Sequence, residues 1–183
     1  GAQADTFLRV TRDMYWDLSN EAALRVFGVD VTKVSDYDRG RLFRAAEYDR
    51  YFPRDRMLPL LRETLAGMGI DLASIPAISI DDEDRPEKEP RPASYPVKPG
   101  KDVRILMKPV GGVYDYESLF HEMGHALHDA LVTVPEYEFQ RLGDYGTTEA
   151  YAYVLEGLMS DPVFLETTGL IRDPVARSEF LRQ

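Results

Sequence analysis

The three histidines of the chain, His121, His125 and His128, fall within eight residues of one another. Two of them bound the segment His121-Glu122-Met123-Gly124-His125, an H-E-x-x-H pattern. Residues four apart on a helix share a face, so both imidazoles can reach one metal ion. Glu122 follows His121 by about 100° round the helix axis. It is turned out of the ligand pair and can face a water held by the ion. Two nitrogen ligands with an offset carboxylate are what a zinc hydrolase requires, with Glu122 as the general base. Composition alone would produce the pattern in roughly four of a thousand shuffled chains. Two unrelated surface histidines with an ordinary Glu between them are therefore the weaker reading.

A catalytic zinc site needs a third protein ligand. Cysteine is absent, which excludes thiolate ligands, disulfides and a cysteine nucleophile. His128 projects about 60° away from His125 and reads as a neighbour of the site. The third ligand is expected to be a carboxylate on a separate element. Glu149, at the start of the next predicted helix, and Glu156, two turns further on, both qualify. Glu149 is favoured because it lies where that helix begins, level with the motif if the two helices run antiparallel. Asp129 is a candidate to orient an imidazole, although such an Asp is more often a solvated helix residue. One of Tyr114, Tyr116, Tyr145 and Tyr151 could hydrogen-bond a developing oxyanion. In a chain with 11 tyrosines, packing is the default for each.

These residues depend on a helix predicted to start after Asp115, its N-cap, with Glu117 in the first turn. It runs through Leu119, Phe120, Met123, Ala126, Leu127 and Leu131, and Pro135 lies just past its end. Gly124 costs about 1 kcal/mol of helix propensity relative to Ala, which implies close backbone approach by a substrate or a neighbouring helix. A loop with Gly143 and Gly146 follows, and Thr147 or Thr148 is expected to cap the next helix, to about Met159. Ahead of the motif, Gly111-Gly112 permits a sharp change of direction. Strands are expected over 94–97 and 103–108, joined by a Pro99-Gly100-Lys101 turn. The stretch 81–92, DDEDRPEKEPRP, reads as an exposed, mobile connection. Upstream, helical patterns run from Phe7 to Leu18, from an Asn20 cap to a stop at Gly28, over 38–51, and over 55–68 with Pro59 near its first turn. A last helix is expected over 174–183. The fold class is mainly α (α+β): a zincin-like helical core with a small antiparallel hairpin or sheet before the motif helix. Three regions are expected: a helical segment 1–75, a Pro-rich acidic connection with the first strand over 76–102, and a zinc-binding core over 103–183.

Lys and Arg total 22 against 32 for Asp and Glu, a formal net charge of −10. That balance repels phosphate backbones and anionic membrane surfaces, so neither is an expected partner. No apolar run approaches the roughly 18 residues of a spanning helix, and no signal-peptide pattern opens the chain; a cytoplasmic location is expected. At 44% hydrophobic residues, the chain can bury a core without staples.

The segment Leu119-Phe120-His121-Glu122-Met123-Gly124-His125-Ala126-Leu127-His128 resembles the active-site helix of the thimet oligopeptidase and oligoendopeptidase F family of zinc metallopeptidases. In that family a later helix supplies a glutamate ligand, with a second glutamate two turns after it. Glu149 and Glu156 match that pair in spacing. Residues 104–109 fall where the family has a strand lining the cleft, and the likeness extends over about 103–160. The resemblance implies one Zn²⁺ per chain, held by His121, His125 and Glu149, with Glu122 as general base. It also implies short peptides as substrates, admitted to a deep cleft between helical lobes. Family members are much longer and place a His and Tyr pair well downstream of the glutamate ligand. This chain has no histidine after His128, so the resemblance implies a piece of a larger enzyme. A carboxypeptidase with the same core motif remains open, as does a metal-binding module that captures peptides without cleaving them. The intact Glu122 argues against the module, which has no need of a general base.

Overall fold

The computed structural model describes residues 1–89, 91–141 and 145–182, the side chain of Arg141 excepted. The expected glycine of the loop at Gly143 lies outside the described residues. The chain divides into two compact units, Gly1–Ala46 and Glu47–Leu181. The second hairpin strand, the motif helix and the helix over residues 57–67 thus share one unit.

In the first unit a single helix, α1 (Ala2–Phe27), replaces the two predicted. Asn20 is not a cap. It sits within α1, and its side-chain oxygen accepts the Val31 N–H at 3.1 Å. Gly28 closes the helix in the left-handed region, φ 68°, which glycine adopts without a Cβ penalty. Ala22, Ala23, Val31, Val34 and Leu42 form the small core, flanked by Phe27 and Val29. The helix expected over 38–51 is absent. Two short 3₁₀ turns, Arg39–Arg41 and Ala46–Tyr51, stand in its place. Ala45 between them has φ 52°, which no helix interior accommodates.

In the second unit α2 (Met57–Gly67) buries Met57, Leu60, Leu61 and Leu65. Pro59 lies in its first turn, where no amide donor is needed. Three strands follow: β1 (Ile78–Asp81), β2 (Ala93–Lys98) and β3 (Asp102–Leu106), in the order β1-β3-β2. The β2–β3 pair is the expected antiparallel hairpin. β1 is an addition that pairs with β3 in parallel, so the sheet is mixed. The acidic stretch is likewise more anchored than predicted. Its first residue, Asp81, ends β1, and the buried Lys88 ammonium donates to Asp81 Oδ1 at 2.8 Å and to the Asp81 and Glu83 carbonyls at 2.7 and 3.0 Å. Arg85 pairs with the other Asp81 oxygen. The hydrogen bonds from Lys88 and then Arg85 hold the Asp81 carboxyl down at about 2.

The motif helix α3 (Val113–Ala130) begins two residues before the expected cap, with Gly112 as its N-cap. Asp115 lies inside its first turn and reaches back to accept the Val110 and Gly111 N–H groups at 2.6 and 2.8 Å. Asp49 takes the capping role, accepting the Val113 N–H at 2.9 Å. Tyr116, fully buried, donates its hydroxyl to the Pro53 carbonyl at 2.7 Å and packs edge-on to Phe52. Burial pushes its phenol well above the usual range. Leu119, Phe120, Met123, Ala126 and Leu127 face the core with Val103, Ile105 and Met107. After α4 (Tyr137–Arg141) come α5 (Tyr145–Glu156), a 3₁₀ turn Gly157–Ser160, α6 (Pro162–Thr167) and α7 (Pro174–Phe180). Asp161 and Asp173 cap the last two helices. The protein is mainly helical with one small sheet. No helix among the described residues is long and apolar enough to cross a membrane.

Candidate metal centre

The site is built where α3 and α5 cross. His121 meets Glu156, Gly124 meets Ala152, and His125 meets Thr148, so the helices run antiparallel. A Cβ on Gly124 would lie 2.5 Å from the Ala152 Cα and 2.5 Å from the Tyr151 carbonyl oxygen. The costly glycine is therefore explained by a neighbouring helix backbone.

That close approach brings together candidate ligands from both helices. His121 Nε2 and His125 Nε2 are 3.1 Å apart. Glu149 Oε2 is 3.4 Å from His121 Nε2, and Glu149 Oε1 is 3.7 Å from His125 Nε2. Donor atoms 2.0–2.2 Å from a tetrahedral ion stand roughly 3.3–3.6 Å apart, which these separations bracket. His121, His125 and Glu149 form a group that could hold a metal ion.

The far side of each imidazole decides which nitrogen is free. His121 Nδ1 donates to Glu156 Oε2 at 2.6 Å, and His125 Nδ1 shares a hydrogen bond with Thr148 Oγ1 at 2.8 Å. A carboxylate only accepts, so the neutral His121 ring carries its lone pair on Nε2, and a hydroxyl partner allows His125 to do the same. With both rings in that form, two lone pairs and a carboxylate would point at one spot and repel one another unless a cation lay between them. Glu156, the competing candidate ligand, is thus a tether for His121. Thr148 is not a helix cap, because α5 already starts at Tyr145; its hydroxyl serves His125.

Glu122 is half-buried on α3 and makes no hydrogen bond or ion pair among the described residues. Gly124, and with it α5, lies about 60° from His121 in the sense opposite to Glu122. Glu122 consequently borders the ligand group on the side away from α5. Asp129 is not the partner of either Nδ1. His128 stays outside the ligand group and stacks on Tyr151, ring centroids 4.9 Å apart and 21° from parallel. Tyr114 and Tyr145 are exposed.

Two further residues border the group. Tyr153 packs against the His121 ring, centroids 5.4 Å apart and planes at 79°. Glu117 lies one turn before His121, and burial together with the Glu156 carboxylate raises its carboxyl to about 7. Both were legible as helix neighbours, since Tyr153 follows Glu149 by four residues and Glu117 precedes His121 by four. No protein-family model, curated protein or solved structure matches the chain.

Proposed function

We propose that the chain carries the metal centre of a zinc-dependent peptidase of the oligopeptidase kind. The observation that carries this reading is the convergence of two imidazole nitrogens and a carboxylate, with an unpaired carboxylate, Glu122, one residue from the first candidate ligand. The resemblance of residues 103–160 to the thimet oligopeptidase and oligoendopeptidase F family supports the choice of peptide as substrate. His121, His125 and Glu149 would hold the ion, and an all-N/O donor set of two imidazoles and one carboxylate suits Zn²⁺.

A bound ion would supply Lewis acidity at this position, toward a substrate carbonyl and a neighbouring water. Glu122 takes a proton from the attacking water and returns it to the leaving amine. Glu156 and Thr148 keep the two imidazoles in the tautomer and orientation that present Nε2. The exposed side of Glu149 leaves the ligand group open to solvent and so to a peptide.

The test is metal content by inductively coupled plasma mass spectrometry, beside cleavage of a quenched-fluorescent peptide library. The wild-type chain is expected to bind about one zinc and to cleave peptides. Glu149→Ala is expected to lose the metal. Glu122→Gln is expected to keep the metal and lose about 10²–10⁴-fold in turnover, the usual worth of a positioned acid–base group. Zinc retained by Glu149→Ala would overturn the ligand assignment. Zinc at full occupancy with no cleavage of any library member would favour a peptide-capturing module.

A further inference from the structure

We propose that Tyr153 is a substrate-contacting residue whose ring selects an aromatic side chain next to the scissile bond; this rests on the peptidase reading above. Glu149, Tyr153 and Glu156 lie on one face of α5, at spacings of four and three residues. Glu149 belongs to the ligand group and Glu156 tethers His121, so Tyr153 stands on the helix face that builds the site. Its ring meets the His121 ring in a T-shaped contact at 5.4 Å. It stands on the α5 side of the ligand group, and Glu122 borders the other.

If Tyr153 only braced His121, its ring would be expected to lie under other side chains. It is instead 60% exposed. The hydroxyl makes no hydrogen bond among the described residues. A large aromatic surface is thus presented to solvent within one side chain's reach of the ligand atoms. A peptide whose scissile carbonyl sits at the metal position has its flanking side chains beside this ring. Aromatic groups prefer offset or edge-to-face contact with such a surface.

The test uses the Co²⁺-loaded chain and two probes that bind through the same hydroxamate group, acetohydroxamate and benzohydroxamate. Their dissociation constants are read from the visible absorption of cobalt. In the wild type, benzohydroxamate is expected to bind more tightly than acetohydroxamate. Tyr153→Ala and Tyr153→Leu are expected to lower that preference about three- to tenfold, with cobalt stoichiometry unchanged. Tyr153→Phe is expected to keep it. An unchanged preference in Tyr153→Ala with cobalt still bound would overturn the proposal, as would a preference retained by Tyr153→Leu. Failure of the metal-site reading looks different: the wild type itself would bind no cobalt, and both proposals would fall together.

Discussion

Glu156 shows how much a site depends on groups that never touch the metal. Its carboxylate lies 2.6 Å from His121 Nδ1, which fixes the ring and raises the basicity of Nε2. Glu156→Ala is expected to weaken zinc binding about 10–100-fold, measured by competition with a chromophoric chelator. Thr148→Val removes a neutral partner from His125 and is expected to cost less, because hydrogen bonds to charged groups are the stronger kind. Glu117 is a carboxyl whose ionisation the fold opposes, through burial and then the neighbouring Glu156. Its folded pKa of about 7 lies above the ordinary glutamate value of about 4.3. Between those values the folded state holds a proton that the unfolded chain has released. Metal-free protein should therefore lose stability as pH rises from about 4.5 to 7. Glu117→Gln is expected to flatten that decline in thermal melts recorded across the interval. An unchanged slope would show that Glu117 ionises normally.

At the scale of elements, the α3–α5 crossing carries the site, since two of the candidate ligands come from one helix and the third from the other. Gly124→Ala gains about 1 kcal/mol of helix propensity. Yet its methyl group would fall 2.5 Å from backbone atoms of α5, which cannot rotate aside. The variant is expected to melt at a lower temperature and to bind zinc more weakly, because separating the helices moves Glu149 away from both imidazoles. A variant that melts higher and keeps its zinc would show that the backbones are not in contact there. The Lys88 anchor is the corresponding device for the acidic connection. Lys88→Ala is expected to speed cleavage after Glu83 by a glutamate-specific protease in limited proteolysis, since three hydrogen bonds to Asp81 and Glu83 are lost together. The helical patterns of α2, α3 and α7 and the β2–β3 hairpin were legible because each is written in residues a few positions apart. Asn20, a good cap residue, makes the sequence of α1 read as two helices; in the fold its side chain holds Val31 instead.

For the molecule as a whole, binding an ion to a folded site that the unfolded chain lacks must raise stability. Free zinc at about 100 times its dissociation constant is expected to add about 2.7 kcal/mol to the unit carrying the ligands. A chelator should reverse the gain, followed as a shift in the thermal midpoint. The sequence by itself determined the H-E-x-x-H face, the offset of Glu122 and the need for a carboxylate ligand. Helix geometry and the absence of cysteine suffice for these. Only the tertiary structure decided that Glu149 joins the imidazoles while Glu156 holds one from behind. It likewise decided that Thr148 serves His125, that Tyr153 borders the group and that β1 adds in parallel to β3. Glu149 and Glu156 are alike in chemistry and lie on one helix face. What separates them is how far α5 slides along α3, and that is set by the backbone contact between Gly124 and Ala152, which no local pattern encodes.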